Sequence, residues 1–249
     1  MLINRPDGNF DYVPGHGTYC SDVLPHDGYQ VAHATFVRPM ALKPAFEAIK
    51  SHLAGLGRPM TALCGMELRI AQALSFDGFG AFNAEYIALL NHYGLRDGER
   101  ATMTRTNVAP EMPAAKPPSP SVYAFSYIVP GARVGRKSFV CSGSGELAGN
   151  GRESIVQLGD ISPEGLRQKA RWVMQQYDKR LPSLGLAWAD ATNVNLYCVH
   201  SPMSFFVSEM LEVMGAGAWL GVHWHYARPP ILEIEYEADV RGTALEMYL

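Results

Sequence analysis

The chain has 249 residues, 47% hydrophobic and 18% charged, with a formal net charge of −3 and a pI near 6.2. That length suits one large domain or two of ordinary size. The mild acidity gives no electrostatic reason to expect nucleic acid or an anionic membrane as partner, no apolar run is long enough to cross a bilayer, and MLINRPDGNFDYVPGHG lacks the basic-then-apolar pattern of a secretory signal.

From the N-terminus, TYCSDV (18–23) and YQVAHATF (29–36) read as two strands joined by the turn-like LPHDG. Residues 42–57 place Leu42, Phe46, Ile49, Leu53 and Leu56 on one apolar helical stripe, ended by Gly57. Met66, Leu68 and Ile70 alternate as in a half-buried strand, and a second helix follows over 82–94. The proline-rich APEMPAAKPPSPS (109–121) reads as a long loop, a kind of segment that often carries function, before a strand over 121–131.

The pattern then repeats. KSFVCSGSGEL (137–147) opens a second copy, with a weaker strand signal before it around GARVG (131–135). Ala170, Met174, Tyr177, Leu181 and Leu184 have the spacings of the first stripe, 128 residues on, and again a glycine, Gly185, follows. A glycine just past such a stripe fits a left-handed helix cap. Val194, Leu196 and Cys198 repeat the alternating strand, 204–215 the second helix, and 221–239 the closing strands. The last of these contains ILEIEYEAD, which as one strand puts Glu233, Glu235, Glu237 and Asp239 in a single row. Such a row is either a solvated face or a set of acids looking into a cavity where one handles protons. Helices that follow strands without strict alternation indicate α+β. The expected architecture is two tandem units, 1–131 and 132–249, each a mixed sheet with two helices on one face.

The four cysteines form no CxxC pair and suit reduced thiols in a cytoplasmic protein. His223 and His225 in HWH share a strand face, but no third ligand accompanies them in the sequence, which argues against a zinc site. The glycines of CSGSGELAGNGRE do not have phosphate-loop spacing.

In order, and twice over, the segments GTYCSDVLPHDGYQVAHATF, LAGLGRPMTALCGMELRIA, FNAEY, TRTNVAP, FVCSGSGEL, PSLGLAWADATNVNLYCV and LEIEYEADVRG resemble the RidA (YjgF) family of imine deaminases, whose fold is similar to chorismate mutase. The resemblance covers nearly the whole chain as two tandem copies. It implies a homo-oligomer, a trimer foremost, with pockets between neighbouring domains. It also implies hydrolysis of an enamine or imine carboxylate to a keto acid and ammonia, with no metal or organic cofactor. Tandem relatives include deaminases of aromatic-compound degradation acting on aminomuconate-type dicarboxylates and, further off, chorismatase-like hydrolases.

Carried over residue by residue, the resemblance assigns Arg105 to the substrate carboxylate, which the planar guanidinium fork suits, and Glu235 to proton transfer. Counting back from ADVRG instead selects Glu237 or Tyr236. Asn107 shares the face of Arg105, Tyr19 matches a pocket tyrosine, and His33 lies near the family's Ser-Gly position. Ser142 and Gly143 match the Ser-Gly turn itself, where glycine permits close approach of a ligand. Each of these has an ordinary structural alternative, such as a surface arginine, a core tyrosine or a strand histidine. The pattern is also split: Phe125 stands where the first copy's glutamate belongs, and Trp219 or Leu220 where the second copy's arginine belongs. Two rival readings follow, a chorismatase-like hydrolase of an enol-ether carboxylate and a ligand-binding module that has lost the chemistry.

Overall fold

The computed structural model describes residues 1–15, 17–131 and 136–249; most of the weak strand signal at 131–135 lies outside them. In chain order the strands are β1 (Ile3–Arg5), β2 (Phe10–Val13), β3 (Asp22–Pro25), β4 (Tyr29–Ala41), β5 (Leu63–Arg69), β6 (Arg96–Asp97), β7 (Arg100–Ala101), β8 (Thr104–Pro110), β9 (Ser121–Pro130), β10 (Phe139–Gly145), β11 (Asn193–Tyr197), β12 (His223–His225), β13 (Ala227–Arg228), β14 (Glu237–Gly242) and β15 (Leu245–Tyr248). The three long helices are α1 (Leu42–Gly55), α2 (Phe76–His92) and α3 (Pro163–Ser183).

The helices begin and end where local chemistry lets them. Ser75 and Ser162 cap α2 and α3 by accepting the N–H of Gly78 and Gly165 on their hydroxyls, and Pro163 occupies the first turn of α3, where no N–H is needed. Gly57 and Gly185 lie just past α1 and α3 at φ 66° and 68°, the left-handed conformation that their place after each stripe predicts. The second copy's second helix is the exception. Val207–Leu211 is a π-helical turn running into Glu212–Met214 and then a 3₁₀ stretch to Leu220.

Two large mixed sheets form, ordered β13-β8-β5-β9-β4-β15 and β1-β2-β3-β10-β14-β11-β12. Within them β4-β9-β5-β8 and β10-β14-β11-β12 have the same order and directions: two antiparallel pairings, then one parallel. That is the spatial form of the sequence repeat. The edges, however, are exchanged. β3 from the N-terminal part pairs with β10, and β15 from the C-terminus runs parallel to β4.

Apolar side chains fill three layers. The helical faces of α1 and α2 pack on one sheet through Phe46, Ile49, Leu53, Tyr86 and Leu90. Val173, Met174, Tyr177 and Met210 pack on the other. Phe10, Val23, Val31, Cys64 and Ile128 lie between the sheets. With a sheet on one side and helices on the other, β5 is buried along its whole length rather than on one face.

The acidic row is not one strand. After Pro229 and Pro230 the chain leaves the sheet, Ile231 bridges to Leu74, and Glu233 turns with φ 71°. Of the four acids only Glu237 and Asp239 stand on β14, and both are buried.

Candidate active site

β8 alternates like any strand, but both of its faces are covered. Thr104, Thr106 and Val108 face the other sheet, while Arg105 and Asn107 face α2 and a cavity of about 510 Å³. Arg105 sits in an aromatic enclosure, its guanidinium carbon 5.1 Å from the Tyr86 ring centre, 5.3 Å from Phe79, 5.4 Å from Tyr19 and 5.8 Å from Phe82. Rings presented face-on stabilise a cation without neutralising it. Asn83 on α2 accepts from Arg105 Nη1 at 2.9 Å and fixes the fork. Burial lowers the guanidinium pKa from its ordinary value, the tyrosines and Glu237 acting against that shift.

Glu237 enters the same cavity from β14. Burial drives its carboxyl well above the usual carboxylate range, the charges of Asp239 and Glu146 push it further, and Arg105 and Arg69 pull it back. A carboxyl held protonated in a cleft is a ready proton donor. Room for it comes from β10, whose register slips between Cys141 and Ser144. Gly143 lies in that bulge, and a Cβ there would collide with Glu237 Oε1.

Asn107 is 3% exposed and lines the cavity, yet neither its amide nitrogen nor its oxygen has a hydrogen-bond partner. Buried polar atoms are nearly always paired, so this amide is set for a group that enters the cleft. Tyr19 lines the cavity too, and burial raises its hydroxyl pKa. Phe79, Leu147, Ile231 and Ile234 supply an apolar wall.

Of the residues singled out in the sequence, the cavity brings together Arg105, Asn107, Tyr19 and Gly143. Glu235 is not at its wall. It pairs with His200 at 2.9 Å and Arg228 at 3.3 Å, because the turn at Glu233 carries it to the other side of the segment. Ser142 points away: its hydroxyl accepts the Arg105 N–H at 2.9 Å and donates to the Cys20 carbonyl at 2.6 Å, stapling β8 to β10. His33 lies in a different cleft. Asn83 was hidden in the sequence, since FNAEY marks a helix and not which of its faces meets β8.

The second cleft, about 340 Å³, is bounded by β4, β11, β12 and β15. Here His33 bridges Glu67 at 3.0 Å and Glu246 at 2.7 Å, and Arg241 meets the same two acids at 3.1 and 3.2 Å. Asp239 accepts from Asn195 and Tyr197, both at 2.8 Å. His225 contacts Asn195 and stacks on Tyr197, and His223 contacts Asn193.

Residues 2–247 match the family described as 2-aminomuconate deaminase CnbZ. The chain belongs to that family. It is also similar to a 2-amino-5-chloromuconate deaminase of Comamonas testosteroni, 38% identical over 246 residues that cover 97% of this chain and 96% of that protein. Among solved structures it resembles a chorismatase, with 12% identity and a TM-score of 0.48, covering 90% of this chain and 77% of that one. This deaminase is therefore an enzyme acting on C–N bonds, which decides against the pure binding module.

Proposed function

We propose that the cleft between β8 and β14 is where this deaminase hydrolyses a 2-aminomuconate-type enamine to the corresponding keto acid and ammonia. Arg105, aided by Asn107, holds the carboxylate next to the amino-bearing carbon. Glu237, rather than Glu235, is the acid/base. Its proton goes to the carbon chain, converting enamine to iminium, and the resulting carboxylate takes a proton from water as that water adds to the C=N carbon. The same proton then passes to nitrogen, and ammonia leaves as the carbonyl forms and its hydroxyl proton returns to the Glu237 carboxylate, so substrate plus water gives keto acid plus ammonia and Glu237 is protonated again. The apolar wall receives the diene.

What supports this reading most is the convergence of a cationic fork, an unpaired amide and a protonation-prone carboxyl on one cavity, in a member of a deaminase family. Purified protein mixed with freshly generated 2-aminomuconate is expected to release ammonia well above the spontaneous rate. No acceleration would sink the assignment.

The finer architecture belongs to the same proposal. The segments 1–131 and 132–249 are RidA-like units fused in tandem, assembled as a trimer in the cytoplasm. Light scattering during size exclusion is expected to give about three times the chain mass.

A further inference from the structure

The far wall of the cavity consists of two segments, the loop after β10 (145–150) and the stretch 230–237 that leads into β14. They are tied at two points. The outer tie is an exposed fork, in which Arg152 donates two hydrogen bonds of 2.5 Å to Glu233. The inner tie is of another kind. Glu146 and Lys169 are both fully buried, with 0% of either side chain exposed. Glu146 accepts the backbone N–H of Glu235 at 2.6 Å and of Tyr236 at 3.0 Å, the two residues directly before Glu237. Lys169, from α3, donates to Glu146 at 3.2 Å and to the Val156 carbonyl at 2.8 Å, while the Val156 N–H returns to the Glu146 carbonyl. One buried ammonium thus closes the loop 146–156, and the carboxylate it holds grips the peptides that aim Glu237.

A buried ion pair is a poor way to gain stability, since apolar groups of the same volume serve as well or better. Its place here, gripping the peptides before Glu237, points to a role in geometry or charge. We infer that Glu146 and Lys169 are positioning residues for the deamination, fixing residues 235–236 so that Glu237 enters the cleft over Gly143 and keeping a negative charge behind it. This rests on Glu237 being the acid/base. The groups facing Glu237 are Asp239 on its own strand, Glu146 from the loop after β10, Arg105 from β8, Arg69 from β5, Tyr19 and Tyr177. Of these Glu146 supports the protonated form, after burial itself and Asp239.

The test is kinetic and spectroscopic. In E146Q, kcat is expected to fall about 10- to 100-fold with KM within about 3-fold, and the basic limb of the pH–rate profile to move to lower pH by about half a unit or more. E146D keeps the charge but shortens the reach, so its rate drops while its limb stays. R152A, which cuts only the outer tie, is expected to stay within about 2-fold of wild type. If E146Q does not fold, E146Q/K169M removes both charges together, and a smaller limb shift in the same direction is expected of it, because losing the Lys169 cation offsets part of the loss of the nearer anion. An unmoved limb with kcat within about 2-fold, in whichever of E146Q and E146Q/K169M folds, overturns the inference.

A second readout needs no turnover. The infrared carbonyl band that E237Q abolishes is expected to titrate at lower pH in E146Q than in wild type, and an unmoved band overturns the inference. Wild-type protein that releases no ammonia from 2-aminomuconate overturns the functional reading instead, and leaves the infrared result to judge this one.

Discussion

The two clefts are lined from different faces of the repeated strands, by Arg105 and Asn107 of β8 in the first and by His223 and His225 of β12 in the second, and their charged groups are in opposite states. Around Arg105, the Asn107 amide has no partner and the Glu237 carboxyl is buried without a full countercharge. Around Arg241, the charges of His33, Glu67 and Glu246 close on one another. Buried polar groups left unpaired weaken a fold unless something else satisfies them, whereas a closed network of charges fixes the fold and has little to offer a ligand. The first cleft is therefore built to receive, and the second to hold β15 and β11 against β4 and β5. On the proposed function, the chemistry belongs to the first cleft and the bracing to the second.

That contrast can be attacked from both sides. Arg105→Ala removes the carboxylate fork and is expected to lower kcat/KM on the order of 1000-fold while leaving thermal stability nearly unchanged. Glu67→Gln is expected to do the reverse. Breaking a buried charge cluster should cost about 3 kcal/mol in urea unfolding, with kcat within about 3-fold of wild type. Should Glu67→Gln abolish activity in fully folded protein, the second cleft is no mere brace.

Glu237→Gln comes next, with kcat expected to fall about 100-fold or more, against less than about 3-fold for Glu235→Gln. An inactive Glu235→Gln beside an active Glu237→Gln would return the role to the residue that the forward count from Glu233 selects. Asn107→Leu is expected to lose about 10-fold in kcat/KM yet to keep or gain stability, because it removes two unpaired buried atoms.

The smallest expected effect is a pH dependence in the second cleft. Burial, with the charge of Arg69, lowers the His225 pKa to about 4, below its value of about 6.5 in an unfolded chain. The unfolded state then binds the extra proton first. The stabilisation from a neutral His225 is complete above about pH 6.5 and is lost as pH falls towards 4, by about 1 kcal/mol after screening. His33 has the opposite sign. Burial and Arg241 push its pKa down, but the hydrogen bonds to Glu246 and Glu67 prevail and raise it, so its contribution is complete below about pH 6.5 and fades as pH rises through the raised value. Denaturant midpoints of His225→Gln against wild type across pH 4–8 separate the two windows.

Much of this was legible in the sequence. The stripes from Leu42 and Ala170 are long and regular, so α1, α3 and the internal repeat could be read from spacing alone, whereas the helix expected over 204–215 became a π turn and a 3₁₀ stretch. Arg105 and Asn107 were readable as a pair because period two puts them on one face. Glu235 lies off the first cavity because alternation says nothing of where a chain leaves the sheet: the prolines at 229–230 and the turn at Glu233 break the row and leave Glu237 as the acid that faces the cleft. The Glu67–Arg241 pair, 174 residues apart, and the Glu146–Lys169 pair leave no local trace. His33 holds a position in β4 comparable to the Ser-Gly region of β10, but β4 belongs to the other sheet, so His33 lines the second cleft.

The exchange of edge strands has a consequence of its own. β3 completes the sheet of the C-terminal half and β15 that of the N-terminal half. Severing the chain near residue 131 would release fragments that each carry a strand the other is missing, so neither is a small protein waiting to be freed. Each half is clasped by the other's tail. The chain cannot be divided into two independent ones without first rebuilding both outer rims.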